Sequence, residues 1–275
     1  MADLRRLSIN QLTLPDSCSM PDFVDVLVRN GVSHASLWRD KVREHGVEAT
    51  ASLLADRDLS LSGYCFAGLL NGSDGAEAAR ARDEVRRTLD EAAALQAPCL
   101  VFIAGGVDTR DKNIADARAR AVAGVAELVP HARSVGVKLA LKPLHPMMCA
   151  SRSVLTTMAL ANAWCDQLEA EDIIGVAVDT YSVWWDPEIE VEIARAGTRI
   201  CAMHVNDWLP DTQDLRLDRG MMGDGVIDIP SLRRAVDAAG YAGPIEVEIL
   251  SKRNWWCREP DEITKVIKNR FSAVV

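Results

Sequence analysis

Eight short apolar runs alternate with longer amphipathic segments along the chain. Runs of this length are typical of buried strands, and the segments between them repeat apolar residues every three or four positions, as amphipathic helices do. The clearest helical segments are 75–97 and 113–136, and Pro130 is expected to kink or split the second. The predicted strands cover 7–11, 32–37, 59–66, 98–104, 137–142, 173–179, 199–205 and 244–250.

This alternation predicts the α/β class. A strand, a helix and a further strand in series favour parallel pairing through right-handed crossovers. Eight such units, in a chain of 275 residues, predict a single (β/α)8 TIM barrel domain spanning 1–275. No GxGxxG motif follows the first strand and no GxxxxGK[ST] motif occurs, so no nucleotide-phosphate site is predicted.

Composition narrows the class of partner. Hydrophobic residues make up 48% of the chain and charged residues 26%, which is enough for a large core. The formal net charge of -9 disfavours nucleic acid and anionic membranes as partners. The N-terminal segment has no long apolar stretch, and a cytoplasmic protein is predicted. The seven cysteines include no CxxC motif and are interpreted as small hydrophobic residues.

TIM barrels place their chemistry at the carboxyl ends of the strands. Several predicted strand ends carry an ionisable side chain after an otherwise apolar run. The groups that the predicted strand ends bring to this face are Tyr64, Lys142, His145, Asp179, His204, Asp207, Glu246 and Glu248.

Four segments carry a family resemblance: VAVDTYSVWWDP (176–187), ICAMHVNDWL (200–209), DRGMMGDGVIDI (218–229) and GPIEVEIL (243–250). In them the chain resembles the sugar phosphate isomerase/epimerase group of the xylose-isomerase-like TIM barrels. The resemblance implies a divalent metal held by Glu, Asp, His and Glu from strands five to eight. In that group the metal polarises a carbonyl and hydroxyl pair, and a carboxylate moves a proton through an enediolate.

The resemblance assigns three of the four ligands. Asp179 matches the strand-six Asp, His204 the strand-seven His and Glu248 the strand-eight Glu. The strand-five Glu falls on Lys142, because the family pattern Glu-Pro-Leu is here Lys-Pro-Leu-His. The family's His after the Asp falls on Ser182, and its Arg near the third strand end is missing from Phe66-Ala67.

A lysine at a ligand position changes the local charge by two units and places a cation where the metal would lie. Two unit charges about 4 Å apart repel by roughly 4 kcal/mol at an effective dielectric near 20. We therefore predict no bound metal or other cofactor. The alternative is one divalent ion, such as Mn, Mg or Zn, on the three remaining ligands.

The predicted catalytic residues are Lys142, Glu248, Asp179 and His204. A charged Lys142 would stabilise a substrate oxygen, and this role is favoured because nearby carboxylates keep the amine protonated. The open alternatives for Lys142 are a general base, a Schiff-base amine or a solvated strand end.

Six further residues are predicted to bind substrate. Asp207 is a candidate to orient His204. Arg219 is a candidate to hold a carboxylate or phosphate, with a structural ion pair as its alternative. Aromatic residues in the loops are expected to wall the site or to pack helices against the barrel. The full predicted set is His145, Trp185, Asp207, Arg219, Tyr64 and Trp256.

The predicted function is metal-independent carbonyl or enolate chemistry on a small polar substrate, of the isomerase, epimerase, lyase or cyclase type. The alternatives are a metal-dependent sugar isomerase or epimerase, and a non-catalytic barrel that binds a small molecule. A homo-oligomer, either dimer or tetramer, is expected.

Overall fold

A computed structural model describes residues 3–275. Eight strands pair in chain order, all in parallel, and the first strand pairs with the last, so the sheet closes into a barrel. The strands are β1 Leu7–Asn10, β2 His34–Trp38, β3 Ser60–Gly68, β4 Cys99–Ile103, β5 Lys138–Leu141, β6 Ile174–Asp179, β7 Ile200–Val205 and β8 Ile245–Val247. The predicted (β/α)8 fold is confirmed, with most strand ends within a few residues of the prediction.

Helices surround the barrel and bury their apolar faces against it. On α4, for example, Val85, Leu89 and Ala92 are fully buried, while Asp74 caps the helix by accepting from the backbone N–H of Glu77. The α-helices are α1 Met20–Arg29, α2 Arg39–His45, α3 Val47–Asp56, α4 Gly75–Ala94, α5 Ile114–Val135, α6 Met158–Leu168, α7 Thr180–Val183, α8 Ile189–Ala196, α9 Ile229–Ala238 and α10 Pro260–Val274.

Helix α5 excludes one of the two effects expected of Pro130, the split, and leaves the kink a prediction. Pro130 lies inside α5, yet the helix is not split and ends at a left-handed Gly136. Pro130 removes one backbone donor, but the buried residues on either side, Leu128 and Ala132, hold the helix against the barrel. Packing therefore outweighs the local cost of the proline.

The pairing of neighbouring strands places their polar end residues side by side. Asp179 pairs with His204 across β6 and β7, and His204 pairs with Glu246 across β7 and β8. The parallel order brings all of these residues to the carboxyl-terminal face. Within residues 3–275, no helix is both long and apolar enough to cross a bilayer.

Candidate active site

Four strand ends place charged or imidazole side chains at one point of the barrel mouth. Lys142 follows β5, Asp179 ends β6, His204 lies in β7 and Glu248 follows β8. All four are buried, with at most 4% of any of them exposed. The predicted catalytic set therefore forms one cluster, although the roles of its members remain predictions.

The ammonium of Lys142 lies at the centre of this cluster. Its Nζ atom is 2.7 Å from Glu248 Oε2, 3.0 Å from Asp179 Oδ2 and 3.0 Å from His204 Nδ1. The contacts with Glu248 and His204 are hydrogen bonds, whereas the contact with Asp179 is an ion pair without the alignment of a hydrogen bond. An ammonium has three N–H donors, so one of them is without a hydrogen-bonded acceptor among residues 3–275, and the electrostatic role of Lys142 toward a substrate stays a prediction.

The charges of the cluster stabilise one another. Burial alone lowers the pKa of Lys142, but Asp179 and Glu248 outweigh it, and the pKa is raised above its ordinary value. Burial alone raises the pKa of Glu248, but Lys142 and Arg219 lower it well below the usual range. The pKa of Asp179 is lowered in the same way, despite burial, by Lys142. Near neutral pH the lysine is charged and both acids are ionised, which disfavours a neutral amine acting as base or Schiff-base nucleophile.

Three residues of the cluster have the spacing of a metal site. Ligand atoms of Asp179, His204 and Glu248 all lie within 4.8 Å of one another. The ammonium of Lys142 contacts all three residues and occupies the space that an ion bound to them would need. The spacing of the three ligands leaves a divalent ion possible, and the ammonium is a cation that such an ion would have to displace or repel.

The two carboxylates of the cluster differ in how many hydrogen bonds they accept from the rest of the protein. Ser182, at the position of the family's histidine, donates to Asp179 Oδ2 at 3.2 Å. The other Asp179 oxygen accepts from the side chain of Asn206 and the backbone of Tyr181. Asp179 is thereby saturated by protein donors, whereas Glu248 Oε1 accepts no hydrogen bond from residues 3–275.

His204 is oriented by its two nitrogens. Nδ1 lies 3.0 Å from the Lys142 ammonium, which can only donate, and 3.3 Å from Glu248 Oε2, so the two contacts favour opposite tautomers. Nε2 is 3.4 Å from Glu246 Oε2, without the alignment of a hydrogen bond. Glu246 is itself buried and accepts from Asn10 at 2.6 Å.

Arg219 joins the cluster from the loop after β7. Its Nη1 donates to Glu248 Oε2 at 3.1 Å and to the Glu248 carbonyl at 3.2 Å. The guanidinium carbon lies 4.7 Å from the centroid of the Tyr181 ring, and 6% of Arg219 is exposed. The structural ion pair that was the alternative for Arg219 is thus present, and its role toward a substrate stays a prediction.

Asp207 has different contacts from those expected. Its two oxygens accept from the backbone N–H groups of Trp208, Gly223, Gly225 and Ile227. A Cβ on Gly225 would lie 2.1 Å from the Trp208 carbonyl oxygen, which explains the glycine. The carboxylate anchors its own loop, and Lys142, rather than Asp207, hydrogen-bonds to His204.

Tyr64 is not brought to the mouth. It is buried in β3, and its hydroxyl donates to Glu91 of α4 at 3.1 Å. The adjacent Cys65 lines the mouth instead. Successive side chains of a strand point to opposite faces of the sheet. A shift of one residue therefore moves a side chain from the barrel interior to the surrounding helices.

The other predicted aromatic residues lie in the loops of the same face. The His145 ring is 4.6 Å from that of Trp208 and 5.9 Å from that of Trp185, between ring centroids. Trp256 donates from Nε1 to the Leu12 carbonyl at 2.7 Å. These contacts pack the loops together, and substrate binding by His145, Trp185 and Trp256 remains a prediction.

A cleft opens from the cluster to solvent. Its cavity volume is about 30 Å³, within a space of about 470 Å³ when the part open to solvent is counted. Met148, Arg152 and Arg216 also line it and were not predicted from the sequence, whereas Trp38 and Phe66 were expected at strand ends of this face without a role in the site. The two arginines could have been predicted from their positions in the loops that follow β5 and β7, since these loops lie on the active face. The apolar wall includes Trp38 and Phe66, whose rings meet edge to face at 5.4 Å.

Comparisons with known proteins give the family. The profile of the xylose isomerase-like TIM barrel matches residues 22–269. The chain belongs to the xylose isomerase-like TIM barrel family. One solved member, protein SMc04130 from Sinorhizobium meliloti 1021, is 42% identical, with 99% of each chain covered and a TM-score of 0.96. No curated protein matches the sequence.

More distant solved structures share the fold of the family. The IolI protein, solved with a binding zinc atom, is 17% identical over 98% of each chain, with a TM-score of 0.85. An L-ribulose 3-epimerase is 20% identical, covering 98% of this chain and 93% of its own, with a TM-score of 0.78.

Proposed function

We propose that the chain is an isomerase- or epimerase-type enzyme that moves a proton next to a carbonyl of a small polar molecule without a divalent metal. The observation that carries the proposal is the position of Lys142 Nζ, within 3.0 Å of one atom from each of Asp179, His204 and Glu248. Family membership supports carbonyl chemistry, and relatives of the same fold include an L-ribulose 3-epimerase and a D-psicose 3-epimerase.

In this proposal Glu248 is the base. Its Oε2 is held by Lys142 and Arg219, while its Oε1 accepts no hydrogen bond from the described chain. Oε1 takes a proton from the carbon beside the carbonyl and delivers it to the former carbonyl carbon, while the proton of the neighbouring hydroxyl moves to the former carbonyl oxygen. Delivery instead to the opposite face of the carbon that lost the proton gives the epimer, and no atom is gained or lost in either case. The low pKa of Glu248 makes it a weak base, and the enolate must therefore be stabilised strongly.

Positive charge supplies that stabilisation. Lys142 acts mainly through its field, because its ammonium is buried in contact with three side chains of the cluster. Arg219 has an Nη2 group without an acceptor among residues 3–275, and this group is the proposed donor to the enolate oxygen. Both cations are fixed before the substrate arrives, so little reorganisation is needed during the reaction.

Metal content tests whether the protein works without a divalent metal. Protein purified without chelator is expected to contain well under one Mn, Zn, Mg or Co per chain by elemental analysis. Lys142→Glu is expected to bind a divalent ion, because it rebuilds a set of four ligands. Lys138→Glu, at the opposite end of the same strand, is the matched control and should bind none. One stoichiometric ion on the wild type would favour the three-ligand metal enzyme instead.

Deuterium exchange tests whether the protein moves a proton next to a carbonyl. Aldoses, ketoses and their acids are incubated with the protein in D2O, and loss of the C–H signal beside the carbonyl is followed by NMR. Exchange that disappears in Glu248→Gln supports catalysis. The engaged ammonium also favours a second candidate, a barrel that binds a ligand without reaction. Ligand binding without exchange in any of these compounds would support that candidate.

A further inference from the structure

The cleft carries more positive than negative charge. Four cations line it, namely Lys142, Arg152, Arg216 and Arg219, against the single carboxylate of Glu248. The whole chain, by contrast, has a formal net charge of -9. A cationic cleft in an acidic protein concentrates field at one place and attracts small anions there.

Two of these arginines lack an acidic partner. Neither Arg152 nor Arg216 forms an ion pair with the described part of the chain. Arg152 is half-buried, and its guanidinium carbon lies 5.5 Å from the centroid of the Phe66 ring. Burial, together with the nearby charge of Arg216, lowers the pKa of Arg152. Asp214 is close enough to Arg216 for the arginine to help lower its pKa, but no acid among residues 3–275 is within ion-pair distance of either guanidinium. A bound anion would relieve the repulsion between the two arginines.

Arg219 contributes a third guanidinium at the inner end of the cleft. It is fixed by Glu248 and by the Tyr181 ring, and only its Nη1 has acceptors among residues 3–275. Guanidinium groups pair with carboxylates and phosphates through parallel N–H donors, which neutral sugar hydroxyls do not match. The arginines therefore line the path from solvent to the reacting cluster.

We propose that Arg152 and Arg216 bind a terminal oxyanion, a carboxylate or a phosphate monoester, of the ligand that enters this cleft, while Arg219 stays at the reacting end. The substrate class is then a sugar acid or a sugar phosphate rather than a neutral sugar. The inference rests on the proposed function for the reaction at the other end of the ligand. Anion binding itself is measured at equilibrium and requires no turnover.

Calorimetric titration with three probes tests the proposal on the full chain. D-Glucuronate and D-glucose 6-phosphate carry the oxyanion, and D-glucose is the neutral control. We expect the anionic probes to bind and sodium chloride to weaken them, because salt screens partly exposed charges. Binding of glucuronate alone identifies a carboxylate, and binding of glucose 6-phosphate alone identifies a phosphate.

Arginine variants identify the binding residues. Arg152→Gln/Arg216→Gln should weaken binding of the anionic probe roughly tenfold to a hundredfold, as loss of charge-assisted hydrogen bonds does. Arg216→Gln alone, at an exposed position, gives a second readout if the double variant fails to fold. Arg234→Gln, on the exposed face of α9, is the matched control and should bind like the wild type.

Two results would overturn the inference. One is no salt-sensitive binding of either anionic probe up to about 10 mM, where even a millimolar Kd gives high occupancy. The other is binding that the arginine variants leave unchanged or that D-glucose matches. Either result leaves the metal and deuterium-exchange tests standing, so failure of this inference is distinguishable from failure of the proposed function.

Discussion

Lys142 is held between two ionised acids and an imidazole, and the same contacts make those acids depend on it. If the ammonium is removed, Asp179 and Glu248 remain buried as neighbouring carboxylates, and Arg219 is the cation of residues 3–275 that still pairs with Glu248. Removing one partner of a buried ion pair is far more costly than losing an exposed one, since an uncompensated charge stays behind. Lys142 thus serves stability as well as any chemistry.

Lys142→Met should therefore destabilise the fold. We expect a loss of about 3–5 kcal/mol in the free energy of unfolding, measured by urea denaturation. Lys138→Met, in the same strand but half-buried at its other end, is the control and should change stability by less than about 1 kcal/mol. Equal effects of the two substitutions would mean that Lys142 contributes no more than a solvated strand end.

The cluster also predicts how stability varies with pH. Folding lowers the pKa of Asp179 and of Glu248 below the ordinary values of 3.8 and 4.5. Their contribution is fully present above those ordinary values and is lost as pH falls through the lower folded values. Folding raises the pKa of Lys142 above 10.5, so its contribution is present below 10.5 and is lost as pH rises through the folded value.

Urea midpoints should accordingly be flat between about pH 5 and 10 and should fall in acid. In Lys142→Met the acid decline should flatten, because Asp179 no longer has an ammonium to lower its pKa and burial favours its protonated form. An acid decline of the same size in both proteins would assign it to carboxylates outside the cluster.

The loop from 206 to 228 depends on one buried carboxylate. Asp207 accepts from four backbone N–H groups, and Asp207→Ala would leave those donors without an acceptor inside the loop. We expect a loss of about 3 kcal/mol or more in the free energy of unfolding, with faster amide exchange at 223–227. Asp211→Ala, exposed in the same loop, is the control. A variant with native stability and impaired ligand binding would restore the predicted substrate role.

The sequence was sufficient for the barrel and for the central cluster. Strand period, strand number and the family motifs predicted the order of elements and the meeting of Lys142, Asp179, His204 and Glu248. Tyr64 was misplaced because strand parity is hard to extend through β3, whose pairing with both neighbouring strands shifts register. The partners of Asp207 are backbone groups, which no side-chain pattern reveals. The unpaired state of Arg152 and Arg216 depends on which acids lie nearby in space.

Considered as a whole, the molecule is expected to assemble. Closed symmetric homo-oligomers are common among soluble enzymes, and the oligomeric state expected from the sequence stays a prediction. We predict a homodimer or tetramer, measured by light scattering at micromolar concentration. A monomer at that concentration would contradict this prediction while leaving the site within each chain unaffected.

The position of Lys142 affects how the site obtains its positive charge. A metal enzyme must acquire its ion after synthesis, competes for it with other proteins and loses it to chelators. A cation that is part of the polypeptide is delivered by translation, one per chain, and it cannot be exchanged for the wrong element. Under the proposed function, the enzyme would work at the same rate in metal-starved and metal-replete cells. For the same reason the enzyme could not be regulated by metal availability, because no change in metal concentration would inactivate the site.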